Sequence, residues 1–301
     1  MIKLPNILSI FSLSLLLFSC GTMEEPIDET VLDSIGSSET IEIVTWNIQN
    51  FPKESQQTIE AVKTAIISLD ADIYCIQEVE DKGSFAAMAE ALEDFDYILS
   101  ESTSYLHFGI LYKSEVLELL DSDEILTQYS YDFASRPPLR GDFLCLACPD
   151  SFKVSVIDLH LKCCDGSDNL ERRAAAISHL HDYLSNEISS NEPANFIVVG
   201  DWNDELDEPQ DQNPFISFLN DSTNFQFVNY DLAVSGSIYN ASYPGWPSFI
   251  DHILISESLF DEETSSSVQT LRLDDFFDDY EITVSDHRPV AWIFSPNSIL
   301  E

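Results

Sequence analysis

Apolar and polar residues alternate over 41–46, Ile-Glu-Ile-Val-Thr-Trp, which predicts a strand ending at Asn47. The period then changes. Over 55–69, Ile59, Val62, Ala65, Ile66 and Leu69 fall on one helical face. A short apolar run at 72–77 predicts a buried strand ending at Glu78, and 85–92 predicts a second helix. Strands are predicted at 108–112, 139–147 and 152–161. A helix follows over 170–184, with Ala174, Ile177, His181 and Leu184 on one side. A buried strand at 196–199 leads into Gly200-Asp201, and strands at 249–255 and 289–294 complete the set. Strands and helices alternate irregularly, with hairpins and crossovers both implied. The class is therefore α+β, with mixed sheets covered by helices rather than a regular parallel barrel. The polar residues of interest stand where apolar strands end, where a rigid sheet presents its working loops.

The ends differ from this pattern. Residues 21–40 are polar, acidic and rich in Ser, Glu and Thr, and read as a flexible tether. From 41 to 296 the pattern is continuous, with no second linker, so one domain is expected there. Ahead of it, Lys3 precedes an apolar run at 7–18 that is short for a membrane span. Leu17-Phe18-Ser19-Cys20-Gly21 resembles a bacterial lipoprotein signal. That resemblance implies cleavage before Cys20 and acylation of its sulfur, with residues 1–20 as signal peptide; an ordinary signal peptide with a stray cysteine is the alternative. The expected location is the bacterial envelope, anchored to the outer membrane and facing the periplasm or the surface. Glu24 and Glu25 weakly resemble a surface-export signal.

Export favours disulfides. Cys145-x-x-Cys148 and Cys163-Cys164 flank two predicted neighbouring strands, so one or two disulfides, or a four-cysteine zinc site, can be drawn. The adjacent pair fits zinc spacing poorly, and disulfides are the expectation. Cys75, in an apolar run, reads as a small buried hydrophobe.

The charge is extreme: 54 Asp+Glu against 13 Lys+Arg, a formal net charge of −41. Such a field repels polyanions at long range and argues against tight non-specific DNA binding. It leaves local phosphate chemistry open, because bound cations reverse the local sign. Arg136, Arg140, Arg172, Arg173 and Arg288, together with Lys162, border the motifs that follow, which predicts a positive collar around them.

Six short segments carry the chemistry. Asn47 and Glu78 end strands and offer oxygen ligands to a hard cation. Asp158, His160 and Lys162 share one face of a strand, and His160 there is a candidate proton donor or oxyanion stabiliser. Gly200-Asp201-Trp202-Asn203 places a carboxylate and an amide on one side of a turn. Asp251 can orient an imidazole, and Ser285-Asp286-His287 precedes the final strand. Each segment alone has an ordinary explanation. In this order, and with Ser135-Arg136-Pro137-Pro138, they resemble the endonuclease/exonuclease/phosphatase family, the DNase I-like hydrolases, over residues 41–294.

The resemblance implies a four-layer α/β/β/α sandwich of two mixed sheets. It makes Glu78 the main ligand of Mg²⁺ (or Mn²⁺ or Ca²⁺), helped by Asn47 and Asp286. His160 becomes a phosphate-facing acid or oxyanion group, and Asp201 activates or orients water. Asn203 and His287 hold the phosphate, Asp251 orients His287, and Arg136 and Lys162 add positive contacts. The implied reaction is in-line attack of water on phosphorus. Two positions depart from the pattern. Gln49 stands where apurinic-site endonucleases of the family carry an acid, and His160 stands where they carry Tyr. The expected function is an exported, monomeric nuclease, an endonuclease on DNA or RNA. A phosphatase or lipid phosphodiesterase of the same fold is the alternative, the latter using an aromatic loop at 239–246. A catalytically dead binding protein is disfavoured, since only the acid at position 49 is missing.

Overall fold

Two six-stranded sheets face each other across a core of branched and aromatic side chains. The computed structural model describes residues 32–101, 105–148, 152–190 and 195–296. The first sheet contains β1 (Ile41–Phe51), β2 (Ile73–Val79), β3 (Phe95–Leu99), β4 (His107–Lys113), β11 (Ser267–Thr270) and β12 (Val290–Phe294). Its order is β11-β12-β1-β2-β4-β3. The second contains β5 (Leu117–Glu124), β6 (Leu139–Cys145), β7 (Lys153–His160), β8 (Phe196–Asp201), β9 (Phe225–Phe227) and β10 (Asp251–Ser256). Its order is β5-β6-β7-β8-β10-β9. Among the described residues only the central pairs, β1/β2 and β7/β8, run parallel. A parallel pair needs a crossover, and the helices α1 (Gln56–Leu69) and α3 (Ser167–Ser190) supply the two.

Alternation along each strand divides the apolar residues between two layers. Ile41 and Ile43 of β1 point between the sheets, where they meet Phe143, Val156, Val199 and Trp292. Val44 and Trp46 point outward onto α1 and α2 (Lys82–Glu90), through Val62, Ile66, Phe85 and Met88. On the far side, Ile157, Leu159 and Val198 pack on Ile177, Leu180 and Leu184 of α3. Three cores separate four layers, as the resemblance implied.

Strand direction decides what lies at each end of the sandwich. The C-terminal ends of β1, β2, β7 and β8 all open at one end, which gathers Asn47, Glu78, His160 and Asp201. There the sheet is irregular. Register shifts fall between Asn47 and Phe51 on β1 and between Ile76 and Val79 on β2. Asn50 and Glu78 have φ of 55° and 62°, a left-handed conformation uncommon for residues other than glycine. Bulges of this kind re-aim side chains next to active sites.

Two expectations change and one narrows. The segment expected to be tether is attached from Leu32 onward: Leu32 and Ile35 pack on the α1 layer, and the Ile35 and Gly36 amides bond the Leu69 carbonyl at 2.9 and 3.3 Å. A Cβ at Gly36 would lie 2.1 Å from the Asp70 carbonyl oxygen, so only glycine fits this crossing. The signal peptide, Cys20 and its lipidation lie outside the described residues. Of the one or two disulfides expected, one forms. Cys145 bonds Cys148 within one turn, leaving Cys163 and Cys164 free. Register explains this: β6 and β7 run antiparallel, with Leu144 beside Lys153 and Leu139 beside Asp158, so Cys145 and Cys163 sit at opposite ends of β7. Finally, β3, β5, β9 and β11 were not predicted.

Candidate active site

Asp201, the last residue of β8, is the meeting point. Its Oδ2 accepts from the Asn47 amide at 3.0 Å and lies 3.3 Å from His160 Nε2 and 3.8 Å from His287 Nε2. The fold places each group. His160 is the register neighbour of Asp201 across the parallel β7/β8 pair, and Asp251 is its neighbour across the antiparallel β8/β10 pair. Gly200 has φ of +146°, and a Cβ there would lie 1.9 Å from the Leu159 carbonyl oxygen, so glycine alone brings β8 this close to β7. Glu78 enters from the first sheet, its Oε1 accepting from Asn47 Nδ2 at 3.1 Å and lying 3.9 Å from His160 Nε2. Asp251 Oδ2 lies 2.9 Å from His287 Nδ1 and so orients that ring. Asp286 stands beside Gln49, whose Nε2 donates to its Oδ2 at 2.7 Å.

Burial and neighbouring charge set the protonation states. Burial raises the Asp201 pKa to about 7, opposed by the charge of His287 and assisted by Asp251. Burial opposes charge on His287, but the Asp251 and Asp201 carboxylates outweigh it and push its pKa up to about 10. His160 goes the other way. Burial, with Arg136, His287 and Lys162 nearby, holds it well below the usual histidine value, so it is neutral. The two site histidines thus differ in charge because only His287 has its own dedicated carboxylate.

Further side chains hold this arrangement. Ser285 donates to the Asn47 carbonyl at 2.6 Å and accepts from the His287 amide at 3.0 Å. The Tyr280 hydroxyl donates to the His287 carbonyl at 2.7 Å and accepts from Trp46 Nε1 at 3.0 Å. Gln77 donates to buried Asp158 at 2.6 Å beneath the site. Gln77 and Ser285 stand inside segments that the sequence singles out, beside Glu78 and Asp286, but nothing in the sequence points to Tyr280. Asn203, left-handed at φ 56°, is braced by Asp201 Oδ1 on its amide at 3.0 Å and by the Leu161 carbonyl on its Nδ2 at 3.2 Å.

The positive collar is largely committed elsewhere. Arg140 bonds Tyr183 and Asp123, Arg172 the Tyr131 carbonyl, Arg173 Asp204, and Arg288 Asp274. Arg136 bonds the Leu161 carbonyl at 3.0 Å while feeling the charges of Asp201 and Glu78. The Lys162 ammonium rests on Cys163. Arg136 and Lys162 are therefore the collar residues still turned to the site.

The donor set suits a hard divalent cation. Asn47 Oδ1 is buried without a partner, next to the Glu78 carboxylate, and Asp286 feels the Glu78 charge. Oxygen donors of this kind match Mg²⁺ or Mn²⁺. Asp201, Asp251 and His287 also bring donor atoms within 4.8 Å of one another. A cation there would face the positive His287 ring and break its bond to Asp251, so the Glu78 side is the better fit.

The sequence profile of the Endonuclease/Exonuclease/phosphatase family matches residues 44–287. The chain belongs to this family. It is accordingly a metal-dependent phosphoester hydrolase that uses a divalent cation. No curated protein matches its sequence. Solved structures share the fold. Caenorhabditis elegans TDP2 superposes with a TM-score of 0.63 at 16% identity, covering 85% of this chain and 75% of that one. The human Nocturnin catalytic domain with bound sulfate gives 0.63 at 18%, covering 85% and 94%. A mannosyl-6-phosphatase of Bacteroides thetaiotaomicron gives 0.57 at 18%, covering 84% and 98%.

Proposed function

We propose that this family member is a nuclease that hydrolyses single-stranded nucleic acid by in-line attack of water. The convergence of Asn47, His160 and His287 on Asp201 Oδ2, all within 3.8 Å, carries the chemistry. Asp201, with a pKa raised to about 7, accepts the proton of the attacking water near neutral pH. His287, held charged by Asp251, contacts a phosphoryl oxygen, and neutral His160 donates to the developing oxyanion. Asn203, Arg136 and Lys162 position the phosphate. Glu78, Asn47 and Asp286 would hold the divalent cation, which would supply charge neutralisation at the phosphoryl group.

The rim supports the substrate. Tyr105, Tyr131, Tyr239 and Trp246 are 67%, 70%, 64% and 78% exposed. All stand on loops at the site end of the sheets. Aromatic platforms hold unpaired bases by stacking, whereas a duplex needs backbone charge contacts that the committed arginines do not provide. A location at the bacterial envelope, through a lipidated Cys20, completes this reading. A second reading, a phosphatase acting on a small phosphoester, draws on the cavity of about 460 Å³ beside Asp286. It is lined by Asp274, Asp275, Asp278, Asp279 and Glu281 and repels a long polyanion on that side.

The deciding assay compares single-stranded and duplex oligonucleotides, RNA, a sugar phosphate and sphingomyelin vesicles with Mg²⁺. Single strands are expected to be cleaved fastest, and EDTA to stop the reaction. Turnover of the sugar phosphate with nucleic acids left intact would replace the nuclease by the phosphatase. Activity indifferent to EDTA would remove the metal assignment.

A further inference from the structure

Beyond His160 the chain continues Leu161-Lys162-Cys163-Cys164, and these two thiols lie outside the disulfide. Their Sγ atoms are 2.7 Å apart. The backbone forces them together. Cys164 has φ of +79°, and Arg173 Nη1 donates to the carbonyls of both Lys162 and Cys164, at 2.9 and 3.2 Å. Arg173 is itself buried and fixed by Asp204 at 2.8 Å, so the dipeptide is clamped from one side. Lys162 Nζ lies 3.4 Å from Cys163 Sγ. Cys164 is exposed and Cys163 half-buried, which leaves the pair open to small reagents.

We propose that Cys163 and Cys164 are a reversible dithiol–disulfide site that controls whether Lys162 reaches the substrate phosphate. The controlling half rests on the phosphate role given to Lys162 above; the redox half does not. The oxidant is a small-molecule disulfide. The Cys164 thiolate attacks one of its sulfurs, forming a mixed disulfide and releasing one thiolate. The Cys163 thiolate then attacks Cys164 Sγ, closing the ring and releasing the second. Two protein thiols lose two electrons and two protons, and one small disulfide becomes two thiols. The hydrogen bond to Cys163 holds the Cys164 thiol above the usual thiol range, with Lys162 and Arg173 opposing that rise, so the exchange is faster at alkaline pH. Adjacent Cα atoms lie about 3.8 Å apart, below the usual disulfide span of about 4.4–6.8 Å, so the closed ring is strained and readily reduced. In the dithiol form the Lys162 ammonium donates to the Cys163 sulfur at 3.4 Å and to the Cys163 carbonyl at 3.3 Å. Closing the ring draws that sulfur onto Cys164 and removes one of the two acceptors, and the ammonium turns to phosphate.

The test equilibrates the purified protein in graded mixtures of reduced and oxidised glutathione, blocks free thiols by alkylation and weighs the tryptic peptide 163–172. The expected product in oxidising mixtures is an unalkylated peptide lighter by two hydrogens, which reverts at a poise where Cys145–Cys148 stays closed. Double alkylation throughout, or a lasting glutathione adduct on Cys164, overturns the redox site whether or not the protein hydrolyses any ester. On bis-p-nitrophenyl phosphate, opening the ring is expected to raise KM about threefold at constant kcat. Cys163→Ser is expected to lose that difference. Ring formation with an unchanged KM overturns the control of Lys162.

Discussion

His160 and Asp201 touch each other but have different tasks, and that makes them separable by experiment. His160→Ala removes a neutral donor, and Asp201→Asn keeps the shape of the side chain but removes its ability to take a proton. Each is expected to lower kcat at least ~10²-fold with little change in melting temperature. Near-wild-type turnover in either variant would take that residue out of the reaction. Such residues could be read from the sequence because each closes a recognisable apolar strand. Their supports could not. Tyr280 meets Trp46 and Ser285 meets Asn47 across more than two hundred residues, and neither contact has a local signature. The arginines gave half of their meaning: proximity followed from sequence position, but the direction of each guanidinium depends on partners such as Tyr183, Asp204 and Asp274.

At the scale of elements, the four unpredicted strands β3, β5, β9 and β11 are the four edge strands of the two sheets. An edge strand is short or charged and lacks the apolar density of a central one. β5 reads Leu-Glu-Leu-Leu-Asp-Ser-Asp-Glu, and β9 has only three residues. The central strands were visible because both faces are covered. One of them carries a buried carboxyl group at the end remote from the site. Glu42, at the start of β1, is buried and has its pKa raised to about 8 by burial, with Asp72 adding to the effect. The folded protein therefore keeps a proton that the unfolded chain releases from about pH 4.5 upward. This contribution to stability is full below that pH and is lost as pH climbs toward about 8, at up to about 1.4 kcal/mol per unit. Glu42→Gln is expected to flatten this slope, read as urea midpoints at pH 5 and 8. An equally steep slope in the variant would place the titration elsewhere.

Over the whole molecule the net charge of −41 acts against any polyanionic substrate. Salt screens that repulsion, with a Debye length that shrinks from about 30 Å at 0.01 M to about 8 Å at 0.15 M. kcat/KM on a single strand is therefore expected to rise over this range at fixed Mg²⁺, the reverse of a basic nuclease. A steep fall would mean that phosphate contacts outnumber those assigned here. The left-handed backbone at Glu78 has a consequence of another kind. A glycine there would relax the main chain and also remove one carboxylate from a crowded acidic site, so drift toward a sturdier protein leads through loss of the group assigned to hold the cation. A lineage under selection for durability alone would discard its chemistry first at this position, and continued hydrolysis is what keeps the strained residue in place.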